Sequence, residues 1–325
     1  MASRPNKIPG YIDQVELARR FATNTAKEVA AHYHVSLRTT RYWHATLKRD
    51  GIQQYQGPPL EPIPPPLSSP PDFPEPLGKT YDDFITISSN RTLILGDSEI
   101  PNHDPEIFEL AYTLARRFGI TDLIINGDFL ALDCFSNWMR SAVYKLSLDD
   151  EIDQAKQVLL TMNNQFKRIV WSTGNHERRV AYRVDGQLNH SKLFETIDRN
   201  ALTISEYGYC ILQSGPPGSI PWFITHPKNY SRIPLSLARE LAAARLMHIL
   251  SGHTHHQAMG RDRSGRFWLV DGGCCRDVSK TRYKSVEVTT HPAWNSGFTI
   301  IINNVPYLIN KENASFWQKV RLEAA

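Results

Sequence analysis

Asp, Asn and His residues recur in this chain in short runs, each placed directly after an apolar stretch. "LILGDSE" delivers Asp97 and Glu99, "LIINGD" delivers Asp128, and "IVWSTGNHE" delivers Asn175, His176 and Glu177. "WFITH" ends in His226, and "HILSGHTHH" in His253, His255 and His256. A surface turn after a buried strand needs only Gly and Asn; a His and a Glu beside them call for another reason. Carboxylate, amide oxygen and imidazole, with no thiolate among them, suit Mn²⁺, Fe²⁺, Zn²⁺ or Ni²⁺ and not a structural cysteine-zinc site. Two such ions roughly 3.5–4 Å apart, bridged by a carboxylate and a hydroxide, form a device for hydrolysing phosphate esters.

Residues so far apart in sequence meet only if strands bring them together. Apolar runs predict strands at 92–95, 122–126, 168–171, 222–225, 248–250, 267–270 and 298–302, and helices at 105–118, 148–166 and 235–246. Strands with helices between them indicate an α/β fold whose sheets are buried by flanking helices. Ligands gather at the carboxyl ends of strands in such folds, which is where these side chains fall. In extended chain, residues two apart share a side, so Asp97 pairs with Glu99 and His253 with His255, while Ser98 and Thr254 point away. Adjacent Asn175 and His176 point differently, leaving one for a metal and the other for proton chemistry. Glycines 96, 127, 174 and 252 stand before the polar residues and permit tight turns.

The order of these runs resembles the calcineurin-like metallophosphoesterase family, whose pattern is D-x-H, G-D, G-N-H-D/E, H and G-H-x-H. Here it is met by Asp97-Ser98-Glu99, Gly127-Asp128, Gly174-Asn175-His176-Glu177, His226 and Gly252-His253-Thr254-His255. "IPNHDPE", "GGCCRD" and "WNSGF" further resemble a subgroup often encoded by bacteriophages. The resemblance implies a two-sheet αββα sandwich and two divalent ions, Mn²⁺ foremost, with Fe, Zn, Ni or Mg as alternatives. It implies that Asp128 bridges both ions, that Asp97 and His255 serve the first, and that Asn175, His226 and His253 serve the second. A bridging hydroxide would attack phosphorus in line, with His176 near the leaving-group oxygen as general acid or transition-state stabiliser. His176 and Asp128 thus take catalytic roles. Asn175, His103 and Arg178 are candidates for substrate contact, a solvated pair at Arg178 and Arg179 being the alternative. Asp133 is a candidate for orienting His176. Glu99 stands where the family has His: a longer, anionic oxygen donor that would favour Mn²⁺ or Mg²⁺ or weaken the first site.

The remainder of the chain frames this centre. Apolar residues at 41% and charged residues at 22% exclude wholesale disorder. No apolar run approaches the roughly 18 residues of a membrane span, and no secretory h-region follows Met1. Cys134, Cys210, Cys274 and Cys275 lack C-x-x-C spacing and read as reduced thiols, so a cytoplasmic setting is expected, in a bacterial or phage-infected cell. Residues 1–56 carry nine Lys and Arg against four Asp and Glu, which holds the whole net positive charge of the chain. Within them, Thr25 with Glu28 forms a capping box, Ser36 caps a second helix, and Asp50-Gly51 ends it. This stretch resembles a helix-turn-helix, with His34 where that motif has Gly; it would present Arg38, Thr39 and Arg41 to DNA. A small three-helix bundle for protein contact or oligomerisation is the alternative. "PPLEPIPPPLSSPPDFPEP" reads as a semi-rigid polyproline spacer, dividing the chain into 1–56, a linker 57–80 and a phosphoesterase domain 81–325. Nucleic acid or nucleotide phosphate esters are the expected substrates. A protein or small-molecule phosphatase, and a catalytically degenerate DNA-binding protein, stay open, as does the oligomeric state.

Overall fold

The computed structural model describes residues 8–10, 12–52, 81–136, 147–183, 201–280 and 294–321; the proline-rich segment lies outside them. Two compact units divide the chain, Met1–Lys79 and Thr80–Ala325.

The first unit holds α1 (Gln14–Thr23), α2 (Ala26–His32) and α3 (Leu37–Arg49). The capping box at Thr25 and Glu28 starts α2, and Ser36 caps α3. Between them His34 has φ 51°, in the left-handed region that favours glycine. The sequence reading expects two helices; α1 is an addition, capped by Asp13 accepting from the Val15 and Glu16 N–H groups. Leu17, Val29, Trp43 and Leu47 form the buried core of the three helices. Arg38 and Arg41 are exposed on α3. Thr39 is partly committed, its hydroxyl lying 2.8 Å from Ser36 Oγ in the cap.

The second unit contains β1 (Thr86–Ser88), β2 (Arg91–Leu95), β3 (Asp122–Asn126), β4 (Arg168–Ser172), β5 (Leu202–Ser205) and β6 (Tyr209–Gln213). There follow β7 (Trp222–Thr225), β8 (His248–Ser251), β9 (Gln257–Arg261), β10 (Trp268–Gly272), β11 (Gly297–Ile302) and β12 (Val305–Asn310). Helices α4 (Pro105–Arg117), α5 (Leu148–Gln165), α6 (Asn175–Arg183) and α7 (Ser236–Arg245) are interleaved with them. One sheet runs β12-β11-β2-β3-β4-β5 and the other β1-β6-β7-β8-β10-β9. Both are mixed: β2, β3, β4 and β5 pair in parallel, whereas β11 is antiparallel to β2 and β9 to β10.

Strand alternation builds the layers. Leu93, Leu95, Leu123, Ile125, Ile169 and Trp171 face α4 and α5, packing with Ile107, Leu114, Ala155 and Leu159. Ile94, Ile124 and Val170, one residue out of phase, face the other sheet and meet Trp222, Ile224, Leu250 and Val270. The second sheet's outer face, with Phe223, Ile249 and Leu269, is covered by Ala238 and Ala242 of α7. Because both faces of each sheet are buried, the central strands read as continuous apolar runs. The result is an α/β sandwich of two mixed sheets between helices.

Candidate metal centre

The carboxyl ends of β2, β3, β4, β7 and β8 lie along one edge of the sandwich, and the two sheets are tied there. Asn126, the last residue of β3, donates from Nδ2 to Thr225 O at 3.0 Å, and its own carbonyl lies 3.0 Å from His226 Nδ1. A carbonyl only accepts, so the His226 proton sits on Nδ1 and Nε2 is aimed at the centre. Nε2 lies 3.2 Å from Asp128 Oδ2 and 3.0 Å from Asn175 Oδ1. Asp128, His226 and His253 each offer a donor atom, all within 4.8 Å of one another. Among the described residues no second set of three such side chains gathers as closely.

Local backbone geometry makes this approach possible. Asp97, Glu99, Asp128, His253 and His255 all have positive φ, between 44° and 73°. Five non-glycine residues held in the left-handed region at one spot are strained, and such strain collects at functional sites. The expectation from extended-chain alternation therefore needs correcting at 97–99 and 253–255. The chain has left the strand there and turns at every other residue. His253 joins Asp128 and His226, whereas His255 Nε2 lies 3.1 Å from Asp97 Oδ1 and 3.3 Å from Glu99 Oε1. Ser98 and Thr254 are buried as well.

The turn at Asn175 and His176 is the start of a helix, α6, which the sequence reading takes for a turn. The His176 N–H donates to Asp128 Oδ1 at 2.8 Å, and His176 Nε2 lies 3.5 Å from Asp128 Oδ2. Glu177, fully buried, accepts from the N–H groups of Asp128, Leu130 and Gly174 at 2.7–3.0 Å. It is the fastener between the β3 and β4 loops, which explains a Glu beside the His.

Charge at the centre is tightly balanced. Burial raises the Asp128 carboxyl, but the imidazoles of His176 and His226 overcome this and hold it well below the usual carboxylate range. Burial lowers the His226 imidazole, yet Asp128 and Asp97 push it up to about 10. Burial pushes His176 down to about 4, so it is neutral at pH 7. Burial also lowers His253, helped by the His226 charge. Two carboxylates that force a proton onto a buried imidazole mark a place that wants a cation. The oxygen and nitrogen donors of Asp128, Asn175, His226 and His253 fit a divalent one.

The first-site donors are differently built. Glu99 is paired through Oε2 with Arg276 Nη1, and both residues are buried. Asp97 spends its carboxylate partly on the His253 N–H, at 3.0 and 3.1 Å. A guanidinium on one donor does not fit a second divalent ion there. Sequence reasoning missed Arg276, although "GGCCRD" contains it.

Other candidates fall nearby. His103 is bridged to Arg276 through the backbone and packs edge-on against Phe108, outside the donor cluster. Arg178 lines a cleft of about 710 Å³ with His226, Lys228, Tyr207 and Phe223. Arg179 donates to Ala131 O at 2.9 Å and sits 3.7 Å from Asp133. His176 Nδ1 is buried with no hydrogen-bond partner among the described residues, so the Asp133 carboxylate does not orient it by a hydrogen bond there.

No family model matches the chain, and no curated protein matches it. Among solved structures, vacuolar protein sorting 29 from Cryptosporidium parvum aligns at 13% identity and a TM-score of 0.37, over 68% of this chain and 95% of that one. A single-residue variant of Vps29 from Entamoeba histolytica aligns at 12% identity and a TM-score of 0.33, over 65% and 84%. No helix among the described residues is long and apolar enough to cross a membrane.

Proposed function

We propose that this chain is a metal-dependent phosphoric ester hydrolase of the calcineurin-like metallophosphoesterase type. One observation carries the reading: Asp128, Asn175, His226 and His253 converge, with the His176 imidazole against the same Asp128 carboxylate. A divalent cation, Mn²⁺ foremost, would supply Lewis acidity and an acidified water at that spot. The chain's own residues do the rest. The Asn126 carbonyl fixes the His226 tautomer, and Glu177 holds the β3 and β4 loops at a set distance. His176, neutral at pH 7, can donate a hydrogen bond from Nε2–H to the leaving-group oxygen and stabilise the charge that develops there. Arg178 and Lys228 bring positive charge to a cleft that also carries Tyr207 and Phe223, a lining suited to an aromatic, anionic ester such as a nucleotide. The basic first unit supports the same substrate class, since Arg38 and Arg41 would raise the local concentration of nucleic acid through phosphate contacts.

Hydrolysis of p-nitrophenyl phosphate and its bis-ester with Mn²⁺ tests this and separates monoesterase from diesterase. Asp128→Asn is expected to abolish both metal uptake and turnover. His176→Ala should keep its metal and lose on the order of 10²-fold or more in kcat. A chain inert with every divalent ion, or a fully active His176→Ala protein, would refute the proposal; the former outcome would favour a degenerate DNA-binding protein.

A further inference from the structure

Glu99, the residue that departs from the family pattern, has a structural partner. Arg276 lies in the loop after β10 and sets Nη1 against Glu99 Oε2. The pair is shut away from water, Glu99 being 2% exposed and Arg276 9%. The loop carrying Arg276 is pinned to this spot by its backbone. The Cys275 N–H donates to Gly96 O at 2.9 Å, the Asp104 N–H to Cys275 O at 2.8 Å, and the Asp277 N–H to Asn102 O at 2.8 Å. Ser296 Oγ donates to Arg276 O at 2.9 Å. The guanidinium is therefore delivered by architecture and is not a surface side chain that has folded inward.

Position matters as much as burial. The other Glu99 oxygen lies 3.3 Å from His255 Nε2, which is 3.1 Å from Asp97 Oδ1. These three residues are the donors that a first ion would need, and Arg276 already holds one of them. A guanidinium keeps its proton in proteins, so its charge is permanent. Like charge and an occupied carboxylate both oppose a divalent ion there. Swinging Glu99 onto a metal would leave Arg276 buried without this carboxylate, a strongly unfavourable state.

We propose that this chain holds a single divalent cation, at Asp128, Asn175, His226 and His253, and that the Arg276 guanidinium, clamped by Glu99, takes the place of the first ion of a two-ion centre. The inference rests on the metal centre read above. The exchange is consistent in charge: a His at 99 would be a neutral donor to an ion, whereas Glu99 is an anionic partner for a fixed cation. Arg276 thereby supplies positive charge beside the reacting phosphate without a second metal.

Metal counting on the 325-residue chain decides the matter. The chain is stripped with a chelator, reloaded with Mn²⁺ and analysed by elemental emission and electron paramagnetic resonance. The wild type is expected to bind one ion per chain, with an uncoupled Mn²⁺ hyperfine spectrum. Arg276→Met, which releases Glu99, is expected to bind two, with exchange coupling between them. Two coupled ions in the wild type would overturn the inference and leave the metal centre standing. No ion in the wild type would overturn both. A folded Arg276→Met chain that still binds one would remove Arg276 from the role. Should that variant fail to fold, the wild-type spectrum alone decides: uncoupled supports, coupled overturns.

Discussion

Gly174 lies so close to Asp128 that a Cβ added there would collide with the Asp128 carboxylate and its backbone nitrogen. Gly127 combines a φ of 74° with a place where a Cβ would sit 2.5 Å from the His226 ring. At the scale of single residues, then, the donors converge because side chains have been removed from the backbone between them. Gly174→Ala should push Asp128 out of line with His226 and abolish high-affinity Mn²⁺ binding in a calorimetric titration. Wild-type affinity in that variant would show that the loop can yield, contrary to the packing. Glu177 acts at the same scale. Three N–H groups donate to one buried carboxylate, and loss of such an acceptor leaves desolvated donors that cost about 1–3 kcal/mol.

The elements matter through what they hold at their ends. α6 begins on the site, so its first residues are donors to it, and α5 braces the loop after β3. Glu151 of α5 accepts from the Leu132 N–H. Burial pushes its carboxyl from 4.5 up to about 7, and the Asp133 charge adds to the rise. A carboxyl raised in the folded state stabilises most when protonated. Its contribution is fully present below about pH 4.5, falls as pH rises toward 7, and is flat beyond that. Glu151→Gln keeps an acceptor and removes the ionisation. It should change stability little at pH 5 and raise it at pH 8 by about 3 kcal/mol, because each tenfold change in proton affinity is worth roughly 1.4 kcal/mol. Urea denaturation at the two pH values reads the difference; an equal effect at both would refute it.

For the molecule as a whole, the open question is what the basic first unit does for the second. Nucleic-acid binding predicts that Arg38→Ala with Arg41→Ala, made in the full chain, weakens DNA retention and lowers the salt slope by about two. An unchanged, salt-insensitive affinity would remove DNA from the function and leave the three helices as a protein-contact module. Neither outcome touches the hydrolase reading, which rests on residues of the second unit alone.

Much of the sandwich was legible in sequence because burial on both faces forces strands such as β3 and β7 into unbroken apolar runs. β1, β5, β9 and β12 escaped notice as edge strands whose patterns are short or partly exposed, and β6, interior to its sheet, escaped as well. α6 was missed because "NHERR" opens with residues that serve turns equally well. Residue types and spacing by themselves singled out Asp97, Asp128, Asn175, His226, His253 and His255 as candidate donors, since ligand chemistry restricts which side chains can act. They did not determine which donor meets which. That depends on left-handed turns past the strand ends and on a loop about 180 residues downstream that lays Arg276 on Glu99. Contacts of such long range are set by packing, and only the tertiary structure decided them.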